Sequence, residues 1–133
     1  NLDESLLSLN IKIIKFFNEV FEIKTKIILA SELGLKPKNY QKSDASEDIA
    51  KICTALKATA YLSGAGGRSY LNLEPFENRA IKVEFQDYKH PIYPQLHNEF
   101  IPNMGIIDLL FNCGEKSLEI LMRNNISKNE LYV

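Results

Sequence analysis

Two short runs of strand character, Thr59–Ser63 and Ile81–Tyr88, are separated by residues 64–80, a stretch of turn and helix character. The second run alternates Ile81, Val83 and Phe85 with Lys82, Glu84 and Gln86, the period of two that sends alternate side chains to opposite faces of a sheet. Strands joined through helices run parallel, with right-handed crossovers, and helices cover the sheet they form. A third apolar, β-branched run, Ile23–Ala30, closes at Ser31-Glu32-Leu33-Gly34 and reads as another buried strand. The implied order is helix, strand, helix, strand, helix, strand, helix. This predicts an α/β fold: three layers, a short and mostly parallel sheet, helices on both faces. Three strands are few for such a sheet, so it is expected to be incomplete. An open edge strand invites a second copy, and self-association into a homo-oligomer is expected.

Helical spacing supplies the other elements. Leu6, Leu9, Ile13, Phe17 and Phe21, widened by Leu7, Ile14 and Phe16, mark one face of a helix that Asp3 caps. Lys36–Ser43 is polar, contains Pro37, and reads as a loop. A second helix starts near Asp44, with Glu47 three residues on as a capping-box variant, and buries Ile49, Ile52, Cys53 and Leu56. Residues 69–80 read as broken helix, with Asn72 as cap and Pro75 in a first turn. Asn103 caps a helix over Met104–Asn112, which Gly114 ends, and Glu115–Arg123 forms a last short helix. Residues 1–123 therefore read as one α/β domain and 124–133 as a polar tail that frays. The chain opens Asn1-Leu2-Asp3 without a methionine, and is expected to be a piece of a longer protein.

Composition narrows the classes of function. Sixteen basic and seventeen acidic residues leave a formal charge of −1, which gives no electrostatic footprint for nucleic acid. Apolar runs fall far short of the roughly 20 residues a membrane span needs. Two cysteines, Cys53 and Cys113, with no Cys-x-x-Cys pair, fit neither a disulfide framework nor a zinc module, so a reducing, cytoplasmic setting is expected. Cys53 lies on an apolar helix face and reads as a core thiol; Cys113 falls at a helix C-terminus, where the dipole disfavours a thiolate.

Two segments carry chemistry. The first is Ser63-Gly64-Ala65-Gly66-Gly67-Arg68, after a strand and before a helix, where α/β sheets bind ligands. Glycines admit close approach of a ligand, a helix start offers amides, and Arg68 adds a fork of donors for phosphate or carboxylate. Ser69 stands where a dinucleotide fingerprint needs glycine, and there is no Walker lysine. Two readings stay open: an anion site at Ser63, Gly64, Gly66, Gly67 and Arg68, or a tight turn that needs positive φ. The second segment, Lys89–Asn103, has no period and contains Pro91, Pro94 and Pro102. A loop of this length with aromatic content reads as functional. His90 is its natural acid or base, since histidine titrates near neutral pH, with Tyr93 and Gln95 beside it. Asp87, His90, His97 and Glu99 match no established metal spacing, so no metal ligand is assigned, and no cofactor is indicated. Both segments follow strand ends, so Arg68 and His90 are expected to face one cleft, with Tyr93 as a wall.

The run Tyr61–Leu71, with Ile81–Tyr88, His90-Pro91-Ile92-Tyr93-Pro94-Gln95, Glu99–Asn103 and Ile107–Gly114, resembles the WbqC-like protein family of bacteria. Ser31–Gly34 and Asp48 to Leu56 fit as well, and Ala65 stands where the family usually has proline. The family's amino-terminal His-Gln-Pro-Asn-Tyr-like motif is missing, so the likeness is to the carboxyl-terminal half. The resemblance implies a place in O-antigen or other surface-polysaccharide biosynthesis, with transferase chemistry on a sugar or its acyl group as the associated reaction class. The expected ligand is then a phosphorylated or nucleotide-linked sugar, bound by Ser63, Gly64, Gly66, Gly67, Arg68 and Gln95, with His90 and Tyr93 at the reacting end. The alternative is a non-catalytic interaction module of a glycan-assembly complex.

Overall fold

The computed structural model describes residues 5–35, 45–97 and 99–123. The elements in chain order are α1 (Leu6–Val20), α2 (Ala45–Ala55), β1 (Ala60–Ser63), α3 (Glu74–Glu77), β2 (Lys82–Phe85), α4 (Ile106–Cys113) and α5 (Ser117–Met122), with 3-10 turns at Ala30–Leu33, Ala65–Ser69 and Gly114–Lys116. Strands β1 and β2 pair in parallel, Tyr61 opposite Val83 and Ser63 opposite Phe85. The molecule is thus a small, open α/β fold with a short parallel sheet, the fold class that the alternation of helix and strand predicts; among the described residues the sheet has two strands, not three, and helices cover one face, not both. The Asp3 and Asp44 caps, the Lys36–Ser43 loop and the tail from Asn124 onward lie outside the described residues.

The sheet packs one face on helices. Tyr61 and Val83 meet α2 and α3 in a cluster centred on Ala50, Cys53, Phe76 and Ile81, with Ile49, Ala58 and Leu71 around it. The Tyr61 and Phe76 rings stack at 5.4 Å. Burial pushes the Cys53 thiol pKa up, as a core thiol requires. The opposite face carries Ala60, Leu62, Lys82 and Glu84; it is open, with Leu62 exposed and Lys82 paired to Glu84 at 2.7 Å. Glu47, in the first turn of α2, ties that helix to the segment after α3. Its carboxylate takes both arms of Arg79, at 2.6 and 3.1 Å, and that hydrogen-bonded pairing holds its pKa below the usual carboxylate value.

Three helix ends share one device. Ile23 N–H donates to the Asn18 carbonyl, Ala58 N–H to Cys53 and Ile81 N–H to Phe76, each closing a Schellman-type turn. The residue just before each, Glu22, Lys57 and Ala80, has φ of 53–54°, where glycine is usual.

Four expectations are corrected. The run Ile23–Ala30 is no buried strand: residues 23–29 have no regular structure, Ile23 and Ile27 are exposed, and a 3-10 turn begins at Ala30. β-Branching gives a preference, but a strand needs a neighbour, and neither edge of the described sheet takes this segment. Helix α1 is capped by Ser5, whose hydroxyl accepts from Ser8 N–H, and it buries none of its residues. Leu56 is exposed, because α2 turns Ala50 and Cys53, with Ile49, into the cluster instead. Asn103 does not cap α4; it has φ of 61°, and Gly105 occupies the N-cap position.

The glycine turn does not rest on positive φ. Gly64 has φ of −62°, and of the glycines only Gly34 and Gly114 have positive φ. The constraint is at Gly67, where a Cβ would collide with Ser63 Oγ and stand 3.3 Å from the Phe85 ring. Gly66 has open space. Gly67→Ala should therefore cost about 1–3 kcal/mol, as overpacking does, while Gly66→Ala stays within about 0.5 kcal/mol. Adding Ser63→Ala to Gly67→Ala should recover part of the loss, and urea unfolding of the four chains measures it.

Candidate functional site

The loop after β2 cannot be held by backbone ladders, because its prolines lack donors and fix φ. Side chains hold it instead. Tyr93, 5% exposed, donates its hydroxyl to Asp108 Oδ2 at 2.8 Å. Gln95 Nε2 donates to the same oxygen at 3.0 Å and to the Ile101 carbonyl at 3.0 Å, while Ile101 N–H donates to Gln95 Oε1 at 2.7 Å. Gln95 thereby closes residues 95–101 into a ring and moors it to α4. From one turn on, Asn112 Nδ2 donates to Asp108 Oδ1 at 3.1 Å and to its carbonyl at 2.8 Å. One carboxylate thus receives three side-chain donors. Beneath it lies a second apolar cluster of Tyr93, Leu109 and Ile120, with Phe100, Ile106, Cys113 and Leu121.

His90 sits half-buried among rings, 6.2–6.3 Å from Tyr88, Tyr93 and Phe100, and Tyr93 meets Phe100 edge-on at 5.6 Å. His90 Nδ1 lies 2.9 Å from the Pro91 carbonyl. A carbonyl only accepts, so Nδ1 carries the proton and Nε2 of the neutral ring is left as the basic atom. Burial, and then the hydrogen bond to Asp108, push the Tyr93 phenol pKa above its ordinary value. The fold therefore holds that proton more tightly than the unfolded chain does. Its contribution to stability is full below the unfolded pKa of about 10 and is lost as pH rises through the higher folded value. Alkaline unfolding should lose this component in Tyr93→Phe, and phenolate absorbance compared between the two chains isolates it from Tyr88, which burial also raises.

Two hollows flank this assembly. One, about 550 Å³, is lined on its polar side by Gln95, His97, Glu99, Asp108 and Asn112, and on its apolar side by Leu96, Ile101, Met104 and Phe111. The other, about 160 Å³, lies between His90, Tyr88 and Tyr93, with Met104 as a wall common to both. His90, Tyr93 and Gln95 are thus brought together. Asp108 is the residue that sequence reading missed, although its signal exists: an acid in the first turn of α4 with an amide four positions on.

The glycine turn stands apart from both hollows, neither of which it lines. Gly67 N–H donates to the Gly64 carbonyl at 2.9 Å, so that amide closes the turn itself. Ser63, buried, donates to the same carbonyl at 3.2 Å. Arg68 is exposed and lies over the Phe85 ring at 4.7 Å; among the described residues it forms no ion pair with Glu74 or Asp87. Among the described residues no group of three or more His, Cys, Asp or Glu is placed to hold a metal ion, so Asp87, His90, His97 and Glu99 do not converge. No described helix is long and apolar enough to cross a membrane.

The short parallel sheet, the moored proline loop and the glycine turn are the parts in which the family resemblance lies. The model of the WbqC-like protein family matches residues 1–120, and the chain belongs to that family. The chain is also similar to Uncharacterized protein Rv1507c of Mycobacterium tuberculosis, 34% identical over 100 residues. That match covers 70% of this chain and 43% of the relative, so the chain spans under half the length of the curated protein it matches. No solved structure matches it.

Proposed function

We propose that this chain is the sugar-recognising part of a WbqC-like protein of bacterial surface-polysaccharide biosynthesis, with a phosphorylated or nucleotide-linked sugar as ligand. One observation carries the reading: the 550 Å³ hollow sets an ordered carboxylate and two amides against an apolar wall that includes Phe111, 84% exposed. A sugar ring has the same two-sided character, hydroxyls on its rim and C–H groups on its face. Asp108, Asn112 and Gln95 suit the hydroxyls and Phe111 suits the face. His90 Nε2, on the adjoining hollow, is the base for transfer to the sugar or its acyl group; Arg68, on the turn of Ser63, Gly64, Gly66 and Gly67, lines neither hollow, so an anion held there is bound apart from this ring.

A thermal-shift screen of nucleotide sugars, sugar phosphates and free sugars tests this. Binding should raise the melting temperature, and ligand at about 100 Kd stabilises by about 2.7 kcal/mol. Phe111→Ala removes an exposed ring, so it should abolish the ligand shift and leave the unliganded melting temperature unchanged. No shift with any of these compounds would refute the sugar reading. The second reading, a non-catalytic interaction module, is favoured by the exposed apolar residues of α1.

A further inference from the structure

The hollow of about 160 Å³ beside the larger one has a chemistry of its own. Two of its lining residues carry a polar atom that has no hydrogen-bond partner among the described residues. These are the Tyr88 hydroxyl and Nε2 of His90, whose Nδ1 already donates to the Pro91 carbonyl. Tyr93 lines the hollow too, but Asp108 engages its hydroxyl. The remaining side-chain walls, Pro91, Met104, Ile106, Leu109 and Leu121, are apolar. The Tyr88 and His90 rings stand 6.3 Å apart with their planes at 83°. A phenol donates and Nε2 of the neutral imidazole accepts, so the hollow offers one donor and one acceptor in an apolar surround. An ammonium group has no acceptor for Tyr88, and a carboxylate has no proton for His90. A secondary amide has both, on opposite sides of one bond, and hydrogen bonds of about 2.9 Å on each side let it bridge neighbouring rings. Apolar cavities of about 150 Å³ hold benzene, so the space suits an amide with a short apolar tail and excludes a pyranose ring.

We propose that this hollow is a pocket for a secondary amide, the N-acylamino group of the sugar whose ring lies in the 550 Å³ hollow, an assignment that rests on the sugar reading above. Met104 is a wall of both hollows, so a substituent on a ring seated in the larger one reaches the smaller past that side chain. The amide N–H donates to His90 Nε2, the Tyr88 hydroxyl donates to the amide carbonyl, and the acyl tail packs on Ile106, Leu109 and Leu121. Tyr88 and His90 thereby select an acetamido group over a hydroxyl or a free amine at that position of the sugar.

Two measurements on the whole chain test the amide separately from the sugar. In the first, N-methylacetamide and methyl acetate, which differ in the N–H, are titrated while the imidazole nitrogen resonances of His90 are followed. The amide should shift them to saturation, and the ester should bind about tenfold more weakly. In the second, calorimetry compares UDP-N-acetylglucosamine and UDP-N-acetylgalactosamine with UDP-glucose and UDP-galactose. An acetamido sugar should bind about tenfold tighter than its hydroxyl parent. Tyr88→Phe should remove that preference and leave the parent's affinity as it is, whereas Phe111→Ala should weaken every sugar. Equal binding of acetamido and hydroxyl sugars, or a preference that survives Tyr88→Phe, overturns the proposal while the sugar reading stands. A response to N-methylacetamide with no binding of any sugar supports the amide pocket and refutes a sugar as the bearer of the amide. His90 resonances that move with neither small probe overturn the pocket outright.

Discussion

Phe76→Ala should lower the stability of the chain by about 3–5 kcal/mol, the usual cost of emptying a fully buried phenyl site. Phe76 is completely buried, in the cluster where α2, α3 and β1 meet. It stacks on Tyr61 of β1 and packs against Ala50 and Cys53 of α2 and Ile81 ahead of β2. The surroundings cannot collapse into the space, because α3 is pinned from outside: Arg79 is held by Glu47, and Asn72 N–H donates to Ser46 Oγ at 3.0 Å. A cavity therefore persists and its cost adds to the lost transfer energy. Phe76→Leu should lose roughly half as much, since part of the volume is kept. Urea unfolding measures both as a shift in midpoint at unchanged slope. A loss below about 1 kcal/mol for alanine would mean that this cluster is not the core of the sheet.

Asp108→Ala should cost about 2–4 kcal/mol, although the side chain is only partly buried. Hydrogen bonds to a charged group are worth about 1.5–3 kcal/mol, and the buried Tyr93 hydroxyl would be left without its acceptor. Asp108→Asn should cost less, as one oxygen still accepts from Tyr93. The dependence is tested by a double-mutant cycle with Tyr93→Phe. Removing the hydroxyl should be costly in the native chain and close to neutral once Asp108 is gone. Equal costs in both backgrounds would show that the loop is moored by packing and not by the carboxylate.

The elements with local signals were legible in the sequence. Alternation from Ile81 onward located β2, and the run before the glycines located β1 to within one residue. The prolines correctly excluded regular structure over the described residues between β2 and α4. The failures came where the answer depends on a distant partner. Ile23–Ala30 has the composition of a strand, yet strand formation requires an adjacent edge, which composition does not encode. Asn103 has the chemistry of a cap, but the chain enters α4 through Gly105, and Asn103 takes the left-handed turn before it. Asp108 was missed, because its importance comes from Tyr93 and Gln95, which reach it only after the loop folds back. The glycine turn was located correctly by spacing, but its basis is the crowding of Gly67 by Ser63 and Phe85, a contact between two strands and a turn.

The two apolar clusters have a kinetic meaning. One is assembled from residues 49–83 and the other from residues 93–121, with no overlap along the chain. Each can close before the other exists, since neither awaits a contact from a remote segment, and local contacts of this kind favour rapid folding. A ribosome releasing the chain from its amino end would deliver the whole of the first cluster before the second, so sheet and moored loop can form in turn. Parallel strands usually make a fold slow, because the crossover must close first. Here the crossover is short and carries its own core residue, Phe76, so the closing segment brings with it the side chain that holds it shut.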